Sequence, residues 1–161
     1  YKDSEKANQA LKLIDQAIKI DDKYFSAYYS KSLFLSVTKD IDALLLNNSK
    51  MIELKPNQPL WIIQRGLFFD IKNEPKKAQE NYDLGINKYR ELLKQKELNQ
   101  DYNFRIEYIS ALEAKENLNL AKVEMEKLKN DFPENELVQS YVKEYKLKTK
   151  TELKSVWENG E

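Results

Sequence analysis

Three pairs of carboxylates stand close enough in the chain to suggest acid–base chemistry: Asp21/Asp22, Asp40/Asp42 and Glu134/Glu136. Such pairs catalyse when they face each other across a water-poor cleft that keeps one of them protonated. These pairs instead border breaks in the apolar pattern. Negative charge there complements helix dipoles and caps backbone N–H groups. Asp40 and Asp42 lack the Gly-centred loop of a calcium site. The 161 residues include no His and no Cys. That removes the commonest general base, thiolate nucleophiles, disulfides and nearly all zinc chemistry. Three Gly cannot build a Gly-rich phosphate loop. No catalytic, cofactor-binding or metal-ligating residue is expected, and no cofactor. No enzymatic activity is expected.

A basic stretch, Lys143, Lys146, Lys148, Lys150 and Lys154, is interleaved with Tyr141, Tyr145 and Trp157. It suits an anionic partner or membrane surface. It equally suits a solvated helix face, since Glu144 and Glu152 dilute the charge. Lys+Arg and Asp+Glu both number 27, so no net field draws in nucleic acid. Arg, the usual residue for bidentate phosphate and base contacts, occurs only at 65, 90 and 105. No nucleic-acid partner is expected. The longest apolar run, Leu60-Trp61-Ile62-Ile63, ends at Gln64, far short of the roughly 18 residues of a membrane span.

The apolar spacing that must position any binding residues is helical nearly throughout. Ala7, Ala10, Leu11, Ile14, Ala17 and Ile18 form one stripe over residues 6–20, which Asp3 or Ser4 can cap. Further helices are predicted over 25–37, 41–54, about 57–71 with Pro59 in its first turn, 76–96, 102–115 and 118–130. Pro56, Pro59, Pro75 and Pro133 punctuate them, and Asp101 is placed to cap one. A single long helix is expected over 134–158, carrying Leu137, Tyr141, Val142, Tyr145, Leu153, Val156 and Trp157.

Matching residues recur every 34 positions. Ala10, Leu44 and Ala78 share that spacing, as do Ala17, Met51 and Gly85, and Ser32 and Gly66. Ile-Lys-Ile-Asp-Asp (18–22) answers Ile-Glu-Leu-Lys-Pro (52–56). A fixed period of this length marks stacked helical hairpins, each covering its neighbour's apolar flank.

With these residues the chain resembles a tetratricopeptide repeat protein. The inter-repeat turn and first-helix pattern is clearest at 20–32. Tyr28, Ser32 and Leu35, then Ile62, Gly66 and Phe69, occupy the family's aromatic, small and large positions of helix A. Ala78, Tyr82 and Gly85 match the helix-B set, and Ala121, Met125, Leu128 and Pro133 a later one. Three departures stand out. Tyr1 falls at mid-helix in the repeat frame, so the first hairpin is expected to be partial, with more chain upstream left open. Helix 41–54 reads as one residue off register, with Ala43 in the small position and Asn48 replacing an aromatic, so a bulge or shifted crossing is expected. Arg105 replaces another aromatic, and the interval from Arg90 to Pro133 is 43, which places about nine extra residues near 90–101.

The resemblance implies a right-handed α-α superhelix, a solenoid of about 3.5 hairpins in one domain, 1–161. Its divisions are 1–22 (partial), 23–56, 57–97 and 98–133, closed by a capping helix at 134–158. It further implies a concave groove lined by Ser26, Tyr29, Ser30, Leu33, Ser36 and Val37, then Leu60, Ile63, Gln64, Leu67 and Ile71, then Asn103, Ile106, Glu107 and Ser110. That wall is apolar. It suits a hydrophobic or amphipathic peptide, the chain's own last helix, or a second copy. Family members that bind chaperones clamp a carboxylate with Lys, Asn and Arg. Tyr29, Leu33, Ile63 and Leu67 take those places here, which argues against such a clamp. The implied function is a scaffold or adaptor for a protein or peptide partner. The alternative is a structural, self-assembling component of a bacterial cell envelope. Arg-poor, Lys/Asn-rich usage suits an AT-rich bacterium, and the cytoplasm and the envelope both stay open.

Overall fold

A computed structural model describes the backbone of residues 2–159 and the side chains of residues 5–155. The described residues form ten α-helices and no strand. These are α1 (Lys2–Ile20), α2 (Phe25–Thr38), α3 (Ile41–Leu54), α4 (Leu60–Ile71), α5 (Pro75–Leu92), α6 (Lys96–Asn99), α7 (Tyr102–Ala114), α8 (Leu118–Asp131), α9 (Glu136–Glu144) and α10 (Lys150–Asn159). α1 begins ahead of the expected cap at Asp3 or Ser4, whose side chains, like those of Val156 and Trp157, lie outside the described set.

Side-chain caps start several of these helices, Asp101 among them as expected. Asp40, Asp101, Asn117 and Asn135 each accept hydrogen bonds from first-turn backbone N–H groups. Three hairpin turns carry a non-Gly residue with positive φ: Lys39 (55°), Asn73 (58°) and Glu116 (61°). Their spacing, 34 and then 43, reproduces the sequence period and its interruption.

The helices gather into two compact units. One runs up to Ala78 and the other begins at Gln79. In the first, α2 packs against α1 and α3, and α3 against α4. Tyr28, Met51 and Trp61 form its centre, with Ile18, Phe25, Ile52, Leu54 and Leu60 packed around them. In the second, α7 packs against α6, α8 and α10, and α8 against α9. Tyr82, Ile86, Tyr89, Tyr108, Ile109, Leu112, Ala121, Leu128 and Val138 are buried there.

Burial follows the repeat. Leu44, Ala78 and Ala121 are buried, as are Asn48, Tyr82 and Met125, and Met51, Gly85 and Leu128. This corrects the register expected for α3. The helix is regular, Leu44 rather than Ala43 takes the buried small position, and there is no bulge. Asn48 stays in register because its amide has a partner on the next helix: Nδ2 donates to the Trp61 carbonyl (3.0 Å) and to Gln64 Oε1 (3.2 Å). Its neighbour Asn47 donates to the Tyr28 carbonyl (2.8 Å). Two consecutive asparagines thus tie α3 to α2 on one side and α4 on the other. Arg105 solves a similar problem. It is buried, pairs with Asp131 at 2.6 Å, and lies over the Phe132 ring.

Two further expectations are corrected. The helix predicted to reach Lys96 ends at Leu92, followed by a turn and the short α6. Beyond buried Leu92, Lys94 and Gln95 are exposed, and Gln95 turns extended with ψ 128°. The single helix expected over 134–158 is two helices with an extended link at 145–149.

A left-handed conformation strains any residue with a Cβ. Lys39→Gly is therefore expected to raise unfolding stability by roughly 0.5–1 kcal/mol in urea titration, less what glycine adds to the unfolded chain's entropy. Asn48→Ala leaves a void and breaks both amide contacts, so a loss of about 2–4 kcal/mol is expected in the same measurement.

Candidate functional site

The expected groove residues divide between the two units. In the first, α2 places Tyr29 (45% exposed), Leu33 (52%) and Val37 (50%) on one stripe, four residues apart. Ser26 is exposed beside it, and Ser30 and Ser36 are half-buried. Tyr29 reaches the Trp61 ring edge-on, with centroids 6.1 Å apart. Trp61 in turn donates through Nε1 to Gln58 Oε1 at 2.9 Å and packs against Phe25. On α4, Leu60, Gln64, Leu67 and Ile71 are half-buried. Ile63 is only 7% exposed, so it belongs to the packing and not to an open wall. A stripe at every fourth residue of α2 holds its shape because the opposite face, Ala27, Tyr28, Ser32 and Leu35, is buried. Ser32 Oγ folds back onto the Tyr29 carbonyl at 2.7 Å. Its polar group is satisfied within the helix, so its small size can serve close approach.

In the second unit, Asn103 is exposed, and Ile106, Glu107 and Ser110 are half-buried on α7. Glu107 accepts from the Tyr89 hydroxyl at 3.0 Å. Burial pushes the Glu107 carboxyl above the usual carboxylate range, and the Tyr89 hydrogen bond opposes that. Burial, reinforced by Glu107, pushes the Tyr89 phenol far up, so it stays a donor at neutral pH. Tyr89 also packs on Phe104 and Tyr108, which ties α5 to α7.

One site escaped the sequence reading. Glu113 on α7 is 1% exposed and accepts from the Tyr145 hydroxyl at 2.8 Å. It also accepts the backbone N–H of Lys148, and Glu116 accepts that of Lys150 at 3.2 Å. These bonds draw residues 145–149 out of the helix that the local pattern favours. Thr149 then restarts it. The Thr149 hydroxyl accepts from Glu152 N at 3.3 Å, while Glu152 accepts from Thr149 N at 2.6 Å, a capping box. The Thr-x-x-Glu spacing was a readable signal for this second start. Lys150 Nζ lies 5.2 Å from the centre of the buried Tyr82 ring. The basic stretch is consequently divided between α9, the link and α10, and no longer forms one helix face. Burial pushes the Tyr141 phenol up to about 12, with Glu113 adding to the effect.

The carboxylate pairs do not converge. Asp40 caps α3, Asp42 pairs with Lys72, and Asp21 accepts from the Lys23 N–H at 2.9 Å. Among the described residues, no group of three or more Asp or Glu is placed to hold a metal, and no helix is long and apolar enough to cross a membrane.

No protein-family model matches the chain, and no curated protein matches it in sequence. The tetratricopeptide resemblance therefore rests on the chain's own residues.

Glu113→Ala removes the acceptor for both the Tyr145 hydroxyl and the Lys148 amide. Hydrogen exchange at 146–149 should accelerate by tenfold or more, since bonds to a carboxylate contribute about 1.5–3 kcal/mol each. Burial, and then the bond to Glu113, raises the Tyr145 phenol above its ordinary value. Its contribution is complete below the unfolded pKa of about 10 and is lost as the pH rises beyond it. Tyr145→Phe should flatten part of the alkaline fall in stability.

Proposed function

We propose that this protein is a non-catalytic, tetratricopeptide-type scaffold: a right-handed solenoid of about three and a half hairpins whose helix-A faces hold a segment of a partner protein. The observation that carries the reading is the stripe of Tyr29, Leu33 and Val37, three apolar side chains about half exposed in line on one helix. Ordered apolar surface of this kind serves contact, and a spacing of four residues matches the side chains of an amphipathic helix or extended apolar peptide. The repeat reading is supported by the shared 34- and 43-residue spacing of the positive-φ turns and of the buried helix-B positions. The absence of His and Cys from the sequence, and the engagement of Asp40 as a helix cap and Asp42 in an ion pair, favour binding over catalysis.

Leu33→Glu with Val37→Glu tests the stripe without touching the core, unlike any change at Ile63. Capture of partner proteins from the source organism's extract, identified by mass spectrometry, should be lost while the unfolding midpoint stays within about 1 kcal/mol of the parent. Retained capture sinks the reading. Sedimentation of the parent over a wide concentration range checks the occupant. A dimer that the double variant abolishes would make the occupant a second copy and favour the self-assembling envelope component.

A further inference from the structure

The residues that interrupt the repeat build a second surface, separate from the α2 stripe. The end of α5, the turn after it and α6 lie beside the α7–α8 hairpin. Between the end of α6 and the α7–α8 hairpin lies a cleft of about 410 Å³ walled by Asn99, Arg105 and Phe132. It adjoins another of about 380 Å³, and the two share Asn99, Arg105 and Asp131.

Six charged residues line the pair of clefts: Arg90, Lys94, Arg105 and Lys127 against Glu124 and Asp131. Both carboxylates are engaged, Asp131 by Arg105 at 2.6 Å and Glu124 by Lys127 at 2.8 Å. Arg90 and Lys94 make no ion pair with a described carboxylate. Four cations less two carboxylates leave a local charge of +2, in a chain whose total is zero. Arg90 is also held in place. Its Nε donates to the Tyr108 hydroxyl at 3.1 Å, and Tyr108 is itself buried. A guanidinium fixed before binding loses less freedom when a carboxylate arrives. Leu93 and Phe132 supply apolar wall beside the charges.

We propose that this cleft docks an acidic segment of a protein partner, with two carboxylates about one helical turn apart for Arg90 and Lys94 and an apolar side chain against Leu93. Charge complementarity selects that ligand. A nucleic-acid backbone needs more neutralising contacts than two to bind at physiological salt, and Glu124 and Asp131 would repel it. The proposal stands apart from the α2 stripe, and either surface can fail without the other.

The test is fluorescence anisotropy on the full chain, with a labelled peptide carrying two Glu four residues apart and a Leu between them. Binding should weaken about tenfold or more in Arg90→Glu with Lys94→Glu, and should weaken with added salt. Lys12→Glu with Lys19→Glu, an equal charge change on exposed positions of α1, should leave binding within about twofold. Lys94→Glu alone, at an exposed position beyond the helix, keeps the test valid if the Arg90 change disturbs the fold, and it should still weaken binding. The proposal is overturned by no binding, by equal loss in the α1 control, or by unchanged binding in the Lys94 variant. A single-stranded RNA of similar length binding as tightly as the peptide also overturns it. Leu33→Glu with Val37→Glu should leave peptide binding intact, and loss there overturns the separation of the two surfaces.

Discussion

Three left-handed residues, Lys39, Asn73 and Glu116, set where the chain reverses between helices. A right-handed helix cannot pass through such a residue, so each one ends its helix and aims the next back along it. The position of that reversal decides which side chains face the neighbour. Because it recurs at 34 and then 43 residues, Leu44, Ala78 and Ala121 meet the same kind of buried environment despite different side chains. Two of the three residues, Lys39 and Glu116, are poor choices for positive φ. Packing of α2 on α3 and of α7 on α8 therefore has to hold those turns.

Within that frame the substitutions at equivalent positions are each matched locally. Asn48 stands where Tyr82 stands one repeat later, and it replaces ring packing with bonds to the Trp61 carbonyl and Gln64. Arg105 stands where Tyr28 stands, and Asp131 and Phe132 receive its charge and its flat face. In Asn48 only the amide N–H₂ is bonded and the buried Oδ1 has no partner, so the side chain is held by its donor half.

Irregularity is concentrated at the second unit's edges. Additional residues after α5 make a short helix and two clefts, and the link at 145–149 lies against α7 through Glu113. The apolar α2 stripe belongs to the regular part. Regular and irregular surfaces thus differ in chemistry: the first is apolar and helical, the second charged and built largely from helix ends and turns.

Helix positions and most boundaries were legible in the sequence. Caps, prolines and apolar spacing act within a few residues, so Asp101 and the 41–54 helix could be read locally. Tyr29, Leu33 and Val37 were expected together because the family resemblance places helix-A residues on one wall, and their spacing of four keeps them on one helix face. The burial of Ile63 and the role of Asn48 were not, since both depend on what an adjacent helix presents. The break at 145–149 was least legible. Tyr145 and Lys148 find Glu113 at separations of 32 and 35 residues, and no local pattern encodes that meeting. The sequence by itself determined an all-helical chain with a 34-residue rhythm and one interruption, because helix signals are local. Tertiary structure decided which polar residues are buried, where the final helix breaks and which apolar side chains remain outside, because those outcomes depend on contacts between helices remote in sequence.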